Sequence, residues 1–361
     1  MSGSNRIEQP NEIMKGKILV TGGTGYIGSH TAVELLASGY EVTIIDDLSN
    51  SRKDVLDGIE NIAGVRPDFE SFDLCDAQRL DDWFARHQDV KAIIHFAASK
   101  AVGESVEKPL KYYHNNLTSL INLLNAMIRT GTQNIVFSSS CTVYGQPDDL
   151  PVTEQSPIKP AESPYGKTKQ MCEDILKDTI HANQAVNAIM LRYFNPVGAH
   201  DSALIGELPL GVPNNLIPYI TQTAAGIREE LQVFGSDYQT PDGTAIRDYI
   251  HVVDLAKAHV VAVDRMIESK QQDRCEVFNL GTGKGFSVLD VVNAFESATG
   301  EELNYRIVGR RSGDIEKVWA DTSFANTVLG WKAGRDIDNM MLTAWQWQQH
   351  LMANKEKYFS D

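Results

Sequence analysis

The sequence predicts an α/β fold in which a doubly wound parallel sheet precedes a smaller mixed α/β lobe toward the C-terminus. Short apolar runs alternate with helical stretches through the first half of the chain, and a glycine-rich turn directly follows the first of these runs. The alternation stops near residue 195, where prolines become frequent. With 361 residues, 42% of them hydrophobic, the chain is long enough to form two lobes with a substantial core.

The first predicted unit consists of a strand, a tight turn and a helix. The apolar run 17–21 is typical of a buried strand, the turn spans Gly22 to Gly28, and residues 29–38 have the composition of a helix. A second strand over 39–46 ends at Asp46. Together these segments form a predicted βαβ unit whose second strand ends in an acidic residue.

The later elements continue this alternation. Strands are predicted at 92–96, 134–138 and 187–192, and helices at 77–86, 109–129 and 165–181. Because parallel strands need a crossover connection, which is usually a helix, this order favours a parallel sheet with helices on both faces.

The second lobe is expected to begin near residue 196. Four prolines interrupt the pattern between Asn195 and Pro218. We therefore expect one domain over 16–195 and another over 196–361, with strands at 231–234 and 277–280 returning to the first. Residues 1–15 are polar and lack an apolar signal-peptide core, so they are expected to form a loose, disordered tail without a targeting role.

Charge and composition argue against several classes of partner. The 48 acidic and 33 basic side chains give a formal charge of −15, which opposes nonspecific binding to nucleic acid and to anionic membranes. No apolar stretch has the length needed to span a bilayer, and a cytoplasmic protein is expected. The four cysteines are scattered without metal-ligand spacing, so we expect free thiols and no metal site.

The glycine-rich turn predicts a dinucleotide site of the Rossmann type. Gly22, Gly25 and Gly28 lack Cβ atoms where the backbone must turn sharply and approach a pyrophosphate, whose charge would face the amides at the helix start. Asp46 lies eighteen residues beyond Gly28, close to the place where a carboxylate binds the adenosine ribose. Since this carboxylate and the neighbouring Asp47 would repel a 2′-phosphate, NAD is predicted rather than NADP.

A second group of residues predicts proton transfer to or from a hydroxyl group. Ser140 ends the serine-bearing strand, and ligands of a doubly wound sheet lie beyond the carboxyl ends of its strands. Tyr165 and Lys169 share a helix face, about 5 to 6 Å apart at their Cβ atoms. We expect Ser140 to bind the reacting oxygen, Tyr165 to move its proton, and Lys169 to lower the pKa of Tyr165 and bind the nicotinamide ribose.

Two simpler interpretations of these residues stay open. By themselves, Tyr165 and Lys169 also fit a surface aromatic residue and its solvated neighbour. Ser139 is expected only to satisfy backbone groups at the strand end.

With these motifs in place, the chain resembles the extended short-chain dehydrogenase/reductases, and among them most closely the UDP-glucose 4-epimerase family, from about Lys17 to Trp347. The similarity is carried by blocks that occur in the order of the family. They are 22–30 (GGTGYIGSH), 95–105 (HFAASKAVGES), 138–145 (SSSCTVYG), 165–169 (YGKTK), 191–200 (LRYFNPVGAH) and 242–252 (DGTAIRDYIHV).

The resemblance implies an NAD-dependent isomerase that interconverts UDP-glucose and UDP-galactose. Tyr165 would take the proton of the sugar 4-hydroxyl while the C4 hydride passes to NAD, and the 4-keto sugar would rotate and recover the hydride on its opposite face. A sugar-nucleotide 4,6-dehydratase would need an acid pair after the serine strand, and residues 141–145 contain none. A non-enzymatic NAD sensor is the other alternative, although a sensor would not need Tyr165 and Lys169.

The resemblance also assigns residues to each ligand. The domain over 16–195 would bind NAD, the domain over 196–361 would bind the UDP-sugar, and Arg247 and Arg311 would bind the diphosphate. Arg52 is expected to be a solvated surface residue. The implied cofactor-binding residues are Gly22, Gly25, Tyr26, Ile27, Gly28, Asp46, Asp47, Leu48, Asn50, Ser51, Asp73, Leu74, Phe96, Ala97, Lys100, Asn115, Ser138, Tyr165, Lys169, Tyr193 and Phe194. The implied substrate-binding residues are Lys100, Ser140, Thr142, Tyr165, Asn195, Asn215, Leu216, Val233, Phe234, Arg247, Arg311, Asp314 and Val318.

Two further expectations follow from the family. The helices at 109–129 and 165–181 would form a two-fold contact in a homodimer. Val318 stands where some relatives carry a tyrosine against the sugar 2-position, so a smaller side chain leaves room for an N-acetyl group. Interconversion of UDP-N-acetylglucosamine and UDP-N-acetylgalactosamine is therefore expected as well, unless Val318 is simply a core contact and the pocket closes in another way.

Overall fold

The computed structural model describes residues 14–310 and 315–359. The strands are β1 (Lys17–Thr21), β2 (Glu41–Ile45), β3 (Asp68–Glu70), β4 (Val90–His95), β5 (Asn134–Ser140), β6 (Asn187–Tyr193), β7 (Asn195–Val197), β8 (Leu231–Phe234), β9 (Ile246–His251), β10 (Cys275–Leu280), β11 (Gly285–Ser287), β12 (Tyr305–Val308) and β13 (Lys317–Val318). The helices are α1 (Tyr26–Ala37), α2 (Val55–Ala63), α3 (Ala77–Arg86), α4 (Val102–Glu107), α5 (Pro109–Thr130), α6 (Pro164–Ala182), α7 (Leu216–Ala224), α8 (Val252–Ile267), α9 (Val288–Thr299), α10 (Ile337–Ala353) and α11 (Lys355–Phe359).

A parallel sheet of seven strands, here called the large sheet, forms the first lobe in the order β10-β6-β5-β4-β1-β2-β3. Helices α1, α2 and α8 cover one face, and α3, α5 and α6 cover the other. The predicted doubly wound parallel fold is therefore confirmed. The direction of strand addition reverses between β1 and β4, and a ligand crevice is expected at that reversal point.

Local sequence signals fix the start of α6, the helix that carries Tyr165 and Lys169. The Ser163 hydroxyl accepts a hydrogen bond from the Gly166 N–H at 3.1 Å, and Pro164 occupies the first helical position of α6. Tyr165 is therefore held in the first turn of α6, and Lys169 follows it one turn later.

The second lobe is assembled around β9 and a small separate sheet. Strand β9 pairs in parallel with β7 and β13 and antiparallel with β11, whereas β8 pairs in parallel with β12. Ile217, Val233, Phe295, Met341 and Trp345 belong to the buried core that joins these strands to α7, α9 and α10.

The structure differs from the sequence expectations in several elements. Of the two late strands expected to return to the first lobe, Cys275–Leu280 joins the large sheet beside β6, whereas Leu231–Phe234 pairs with β12 instead. Helix α8 also returns to the first lobe and packs near α1. The sequence did not identify α2 or β3. Strand β3 spans three residues and is too short to show periodicity. The domain division near residue 195 stays a prediction.

The N-terminal segment is held to the first lobe at Lys15, and the cysteines are unpaired. Residues 1–13 of the predicted tail lie outside the described residues, but Lys15 is anchored, with its ammonium 3.1 Å from the Asp264 carboxylate. All four cysteines are free, as expected. Among the described helices, none combines the length and apolar character needed to cross a bilayer. Within residues 14–310 and 315–359, no cluster of three or more His, Cys, Asp or Glu side chains has the geometry to hold a metal ion.

Candidate active site

The turn after β1 forms a cradle without side chains. Gly22 has a φ of +70°, and a Cβ atom there would lie 2.7 Å from the amide nitrogen of Ala97, just beyond β4. A Cβ atom at Gly28 would lie 2.3 Å from the Gly22 carbonyl oxygen. Helix α1 begins at Tyr26, and no side chain caps its start. The cradle therefore fits a pyrophosphate whose charge faces the first turn of α1.

Asp46 organises the loop that follows β2. Its carboxylate accepts hydrogen bonds from the Thr24 N–H at 3.2 Å, the Leu48 N–H at 2.9 Å and the Ser51 hydroxyl at 3.1 Å. Leu48 has a φ of +61°, a conformation that non-glycine residues rarely adopt. The buried carboxylate thus joins the glycine turn to the loop where an adenosine ribose would bind.

Arg52 does not behave as a solvated surface residue, contrary to expectation. Its guanidinium forms an ion pair with Asp54 at 3.1 Å and donates to the carbonyl oxygens of Lys357 and Tyr358, both at 2.9 Å. Because its donors are used in this way, Arg52 attaches α11 to the loop after β2 instead of offering a phosphate site.

The other predicted cofactor residues of the first lobe follow strand ends or face them. Phe96 directly follows β4, and its ring centre lies 4.7 Å from that of the buried His259 on α8. Asn115 on α5 donates to the Ser99 hydroxyl at 3.2 Å. The loops after β2, β3 and β4 carry the rest of this set, namely Asp47, Asn50, Asp73, Leu74 and Ala97.

The serine strand β5 and helix α6 bring the predicted catalytic residues together. The Lys169 ammonium donates to the Ser138 carbonyl oxygen at 2.7 Å and lies 5.9 Å from the centre of the Tyr165 ring. The Ser140 hydroxyl, at the end of β5, interacts with the Tyr165 phenol. The Ser138 hydroxyl forms a hydrogen bond with the Tyr193 phenol. A tyrosine, a lysine and a serine hydroxyl therefore share one edge of the large sheet.

Burial sets the protonation of this group. Burial raises the pKa of the Tyr165 phenol above its ordinary value, Tyr193 raises it further, and the bond with Ser140 acts in the opposite direction. Burial also lowers the pKa of the Lys169 ammonium to about 8. The expected lowering of the Tyr165 pKa by Lys169 is therefore wrong for the protein alone, because desolvation outweighs the attraction of an ammonium that points at the Ser138 carbonyl.

Strand β9 collects several predicted sugar-site residues. Arg247 on β9 lies opposite Val318 on β13, and Asn195 begins β7, which pairs with the other side of β9. The pKa of the Cys141 thiol is raised to about 11 by burial, and the Arg247 guanidinium opposes this rise. The guanidinium therefore acts electrostatically on the residue that follows Ser140.

Val318 is a core contact in this structure. Its side chain is buried in one cluster with Val143, Tyr144 and Phe194. Val318 therefore packs against Phe194, which is itself a predicted cofactor residue.

One carboxylate links the two sides of the cleft. The Glu207 side chain lies 3.3 Å from the Lys100 ammonium and accepts a hydrogen bond from the Asn215 amide at 2.7 Å. Asn215 precedes Leu216, the first residue of α7. Two predicted ligand-binding residues from separate lobes thus share a partner that the sequence did not suggest.

Some predicted residues are not brought into this group. The Val233 side chain is fully buried in the core of the second lobe, whereas Phe234 beside it is half-buried. The Thr142 hydroxyl is buried without a hydrogen-bond partner in the turn after β5. Arg311 and Asp314 lie outside the described residues.

Sequence reasoning missed a buried pair behind the catalytic strand. Glu173 on α6 and Arg192 on β6 form a bidentate ion pair. Two signals pointed to it: Glu173 follows Lys169 by one helical turn, and Arg192 interrupts an otherwise apolar strand. Charged residues are rarely fully buried unless they are paired.

Comparisons with known proteins give a consistent result. The family model described as GDP-mannose 4,6 dehydratase matches residues 19–343. A UDP-glucose 4-epimerase from Bacillus subtilis is 52% identical over 331 residues, covering 92% of this chain and 96% of the relative. The human UDP-glucose 4-epimerase is 48% identical over 342 residues, covering 93% and 97%.

Solved structures of similar proteins agree with these relatives. A UDP-glucose 4-epimerase from Stenotrophomonas maltophila, crystallised with bound NAD and formylated UDP-arabinopyranose, matches with a TM-score of 0.90 and 48% identity over 94% of this chain and 99% of that one. The Bifidobacterium longum enzyme, in complex with NAD+ and UDP, matches with a TM-score of 0.89 and 47% identity over 92% and 98%.

Proposed function

The chain belongs to the UDP-glucose 4-epimerase family of the extended short-chain dehydrogenase/reductases, and we propose that it interconverts UDP-glucose and UDP-galactose with NAD as its cofactor. One observation carries this proposal: Ser140, Tyr165 and Lys169 meet at the carboxyl edge of the large sheet, beside the Gly22 cradle. In a doubly wound sheet this edge is where dinucleotides bind.

The residues of the first lobe would hold and orient the cofactor. The amides at the start of α1 would bind the pyrophosphate, Asp46 the adenosine ribose, and Lys169 the nicotinamide ribose. When bound, NAD+ supplies the acceptor that takes and returns the C4 hydride, and its positive charge favours the phenolate form of Tyr165.

Tyr165 would move the proton of the sugar 4-hydroxyl. Its phenolate oxygen would accept that proton and return it to the 4-keto oxygen after the sugar has rotated. The Ser140 hydroxyl would hydrogen-bond the reacting oxygen and keep it within reach of the phenol. Since burial raises the pKa of Tyr165, positive charge beside the phenol is required before it can act as a base near neutral pH.

Residues on the second lobe would retain the nucleotide while the sugar turns. Arg247 has the bidentate guanidinium that suits a diphosphate, and Arg311 is proposed to share this role. Asn195 and Asn215 would contribute uncharged hydrogen bonds. Anchoring UDP in this way leaves the hexose able to present either face of C4 to the cofactor.

We also propose that the enzyme accepts UDP-N-acetylglucosamine and UDP-N-acetylgalactosamine. The support is that Val318 stands where some relatives carry a tyrosine; in this structure its side chain is packed in a core cluster, so room for the N-acetyl group stays a prediction. Incubation of the purified protein with each N-acetylated sugar, followed by NMR of the products, tests the idea. Inactivity on both sugars, with normal turnover of UDP-galactose, would remove it.

A homodimer located in the cytoplasm is proposed as the working form. On α5, Leu110, Ile121 and Ile128 expose 80%, 43% and 42% of their surface along one helix face, an apolar stripe suited to a two-fold helix contact. The free thiols fit a reducing compartment. Light scattering should give a dimer mass, and the double variant Ile121→Glu/Ile128→Glu should give a monomer. A monomeric wild-type protein would contradict the dimer, and cell fractionation tests the location.

The direct test of the activity uses UDP-galactose with no added cofactor. Formation of UDP-glucose, followed by NMR, is the expected result. A stable 4-keto-6-deoxy product would instead indicate a dehydratase, and tight NAD binding without turnover would indicate a sensor.

A further inference from the structure

The Glu173–Arg192 pair lies directly behind the catalytic strand. The Arg192 Nε donates to Glu173 Oε1 at 2.8 Å, and one terminal nitrogen donates to Glu173 Oε2 at 2.5 Å. Both side chains are almost completely buried, with 4% of Arg192 and 2% of Glu173 exposed. Removing two charges from water is costly, and a buried pair of this kind gives little net stability over a well-packed apolar pair. Its value is therefore expected to lie in geometry.

The pair bonds to each element that carries a catalytic group. The Ser139 hydroxyl donates to Glu173 Oε1 at 2.6 Å, so the carboxylate holds β5 between Ser138 and Ser140. Glu173 itself lies one turn beyond Lys169 on α6. Ser139, which the sequence assigned to backbone groups, is thus a link between the serine strand and the tyrosine helix.

Arg192 extends the same connection to the neighbouring strand and turn. It directly precedes Tyr193 on β6, and its other terminal nitrogen donates to the Tyr144 phenol at 2.9 Å. The Tyr144 phenol in turn donates to the Asn279 side-chain oxygen on β10 at 2.7 Å. Directional bonds therefore fix five neighbouring parts of the fold relative to one another: β5, the turn after it, α6, β6 and β10.

We propose that Glu173 and Arg192 are positioning residues for the epimerase reaction: they set the spacing between the serine strand and the Tyr165–Lys169 helix without touching the substrate. The proposal rests on the proposed function. Misplacement of reacting groups by about 1 Å can cost about 100-fold in rate, so a buried polar network that fixes this spacing acts on turnover more than on substrate binding.

The pair also acts on Lys169 electrostatically. The titratable groups that face Lys169 are Tyr165, Cys172 and Glu173 on its own helix and His95 at the end of β4. Burial lowers the pKa of Lys169, whereas the Glu173 carboxylate raises it. Loss of Glu173 should therefore move deprotonation of Lys169, and the alkaline limb of the rate profile, to lower pH.

The fold contains a matched control pair. Arg265 on α8 and Glu276 on β10 are bonded in the same bidentate manner, at 2.7 and 2.8 Å, and are nearly as buried. The remaining Arg265 donor bonds the Val328 carbonyl at 2.9 Å. Glu276 lies near the amino end of its strand, away from the catalytic edge, so this pair shares the chemistry but not the location.

The test compares two double variants of the full-length enzyme in which each pair is replaced by apolar residues of similar size. We expect Glu173→Leu/Arg192→Met to lower kcat for UDP-galactose about 100-fold, with KM and bound NAD near wild-type values; Glu173→Gln, which removes only the carboxylate charge, should shift the alkaline limb to lower pH. The control, Arg265→Met/Glu276→Leu, should keep the wild-type kcat and pH profile. Ser139→Ala, which leaves the pair intact, should lower kcat about tenfold.

The outcomes distinguish a failure of the positioning role from a failure of the proposed function. A wild-type kcat in the Glu173/Arg192 variant, or an equal loss in both double variants, overturns the positioning role while leaving the epimerase activity standing. If the Glu173/Arg192 variant does not fold, Ser139→Ala decides, and full activity there overturns the role. A wild-type enzyme that is inactive on UDP-hexoses would instead remove the proposed function.

Discussion

The catalytic edge of the large sheet and the sugar side of the cleft differ in how firmly their side chains are held. At the catalytic edge, Ser138, Ser140 and Lys169 are at most 7% exposed and are bonded within the protein. On the sugar side, Asn195 and Arg247 are half-buried, and Asn195 lies on β7, a strand of three residues. Adjacent parallel strands of one sheet build the first region, whereas segments far apart in the chain build the second.

This difference matches what each region would have to do. Proton and hydride transfer require groups that are fixed before the substrate arrives, because reorganisation during the reaction would add to the barrier. Rotation of a keto sugar requires free space around the hexose, while the nucleotide stays firmly bound. Variants on the two sides should therefore affect different kinetic constants.

The largest effect is expected at Tyr165. Tyr165→Phe removes the oxygen that moves the proton and should lower kcat about 1,000-fold or more, while the protein keeps its NAD. Turnover of UDP-galactose and the cofactor content of the purified variant are the measurements. Near-normal activity of this variant would remove Tyr165 from its assigned role.

A smaller effect, on KM more than on kcat, is expected from the sugar side. Arg247→Ala should raise KM for UDP-galactose about 30-fold, since charge-assisted hydrogen bonds are worth about 1.5–3 kcal/mol. Arg306→Ala is the matched control, because Arg306 is an exposed arginine of the same lobe that pairs with Glu230. If Arg247→Ala lowered kcat and left KM unchanged, the predicted kinetic difference between the two regions would be contradicted.

The cofactor loop should show an effect of about tenfold. Asp46→Asn removes the charge from a carboxylate that accepts several loop hydrogen bonds and is proposed to bind the adenosine ribose. We expect weaker NAD retention and a smaller preference over NADP, measured by cofactor release and by titration with each dinucleotide. Asp68→Asn, at an exposed position on β3, is the control, and equal losses in both variants would count against a specific role for Asp46.

The smallest effects per residue should come from buried histidines, most of which lie in the first lobe. Burial lowers the pKa of His30, His95 and His251 to about 3 and that of His259 to about 4. Below about pH 6.5 the unfolded chain takes up protons that the folded protein does not, so the free energy of unfolding falls as pH decreases. Each histidine contributes up to about 1.4 kcal/mol per pH unit.

Urea unfolding at pH 7, 6 and 5 measures this loss. The free energy of unfolding should decrease at each step, and His259→Phe should reduce the slope. A value that stays constant down to pH 5 would show that these histidines are protonated in the folded state.

The sequence predicted the first lobe well because its signals are local. The glycine turn, the acid after β2 and the spacing of Tyr165 and Lys169 all lie within single strand–helix units, whose geometry follows from periodicity. The same reasoning gave the wrong direction for the pKa of Tyr165, since burial depends on neighbours from distant parts of the chain. It also treated Ser139 as ordinary, because its partner Glu173 is distant in sequence.

The second lobe could not be predicted from local patterns. Arg247 and Val318 meet only because β9 and β13 pair across a long stretch of chain. The strand at 231–234 has the same apolar character as one of the large sheet, yet it pairs with β12. Glu207 belongs to no recognisable sequence motif, and only the tertiary fold places it in the cleft. For such residues, only the resemblance to a known family or the structure itself identifies a role.

The central claim is that C4 of the sugar gives up its hydrogen and receives the same one back. Incubation of the enzyme with UDP-galactose deuterated at C4, in ordinary water and without added cofactor, tests this directly by NMR of the products. We predict UDP-glucose that keeps its deuterium at C4. Loss of the label to solvent during conversion, or no conversion at all, would contradict the account.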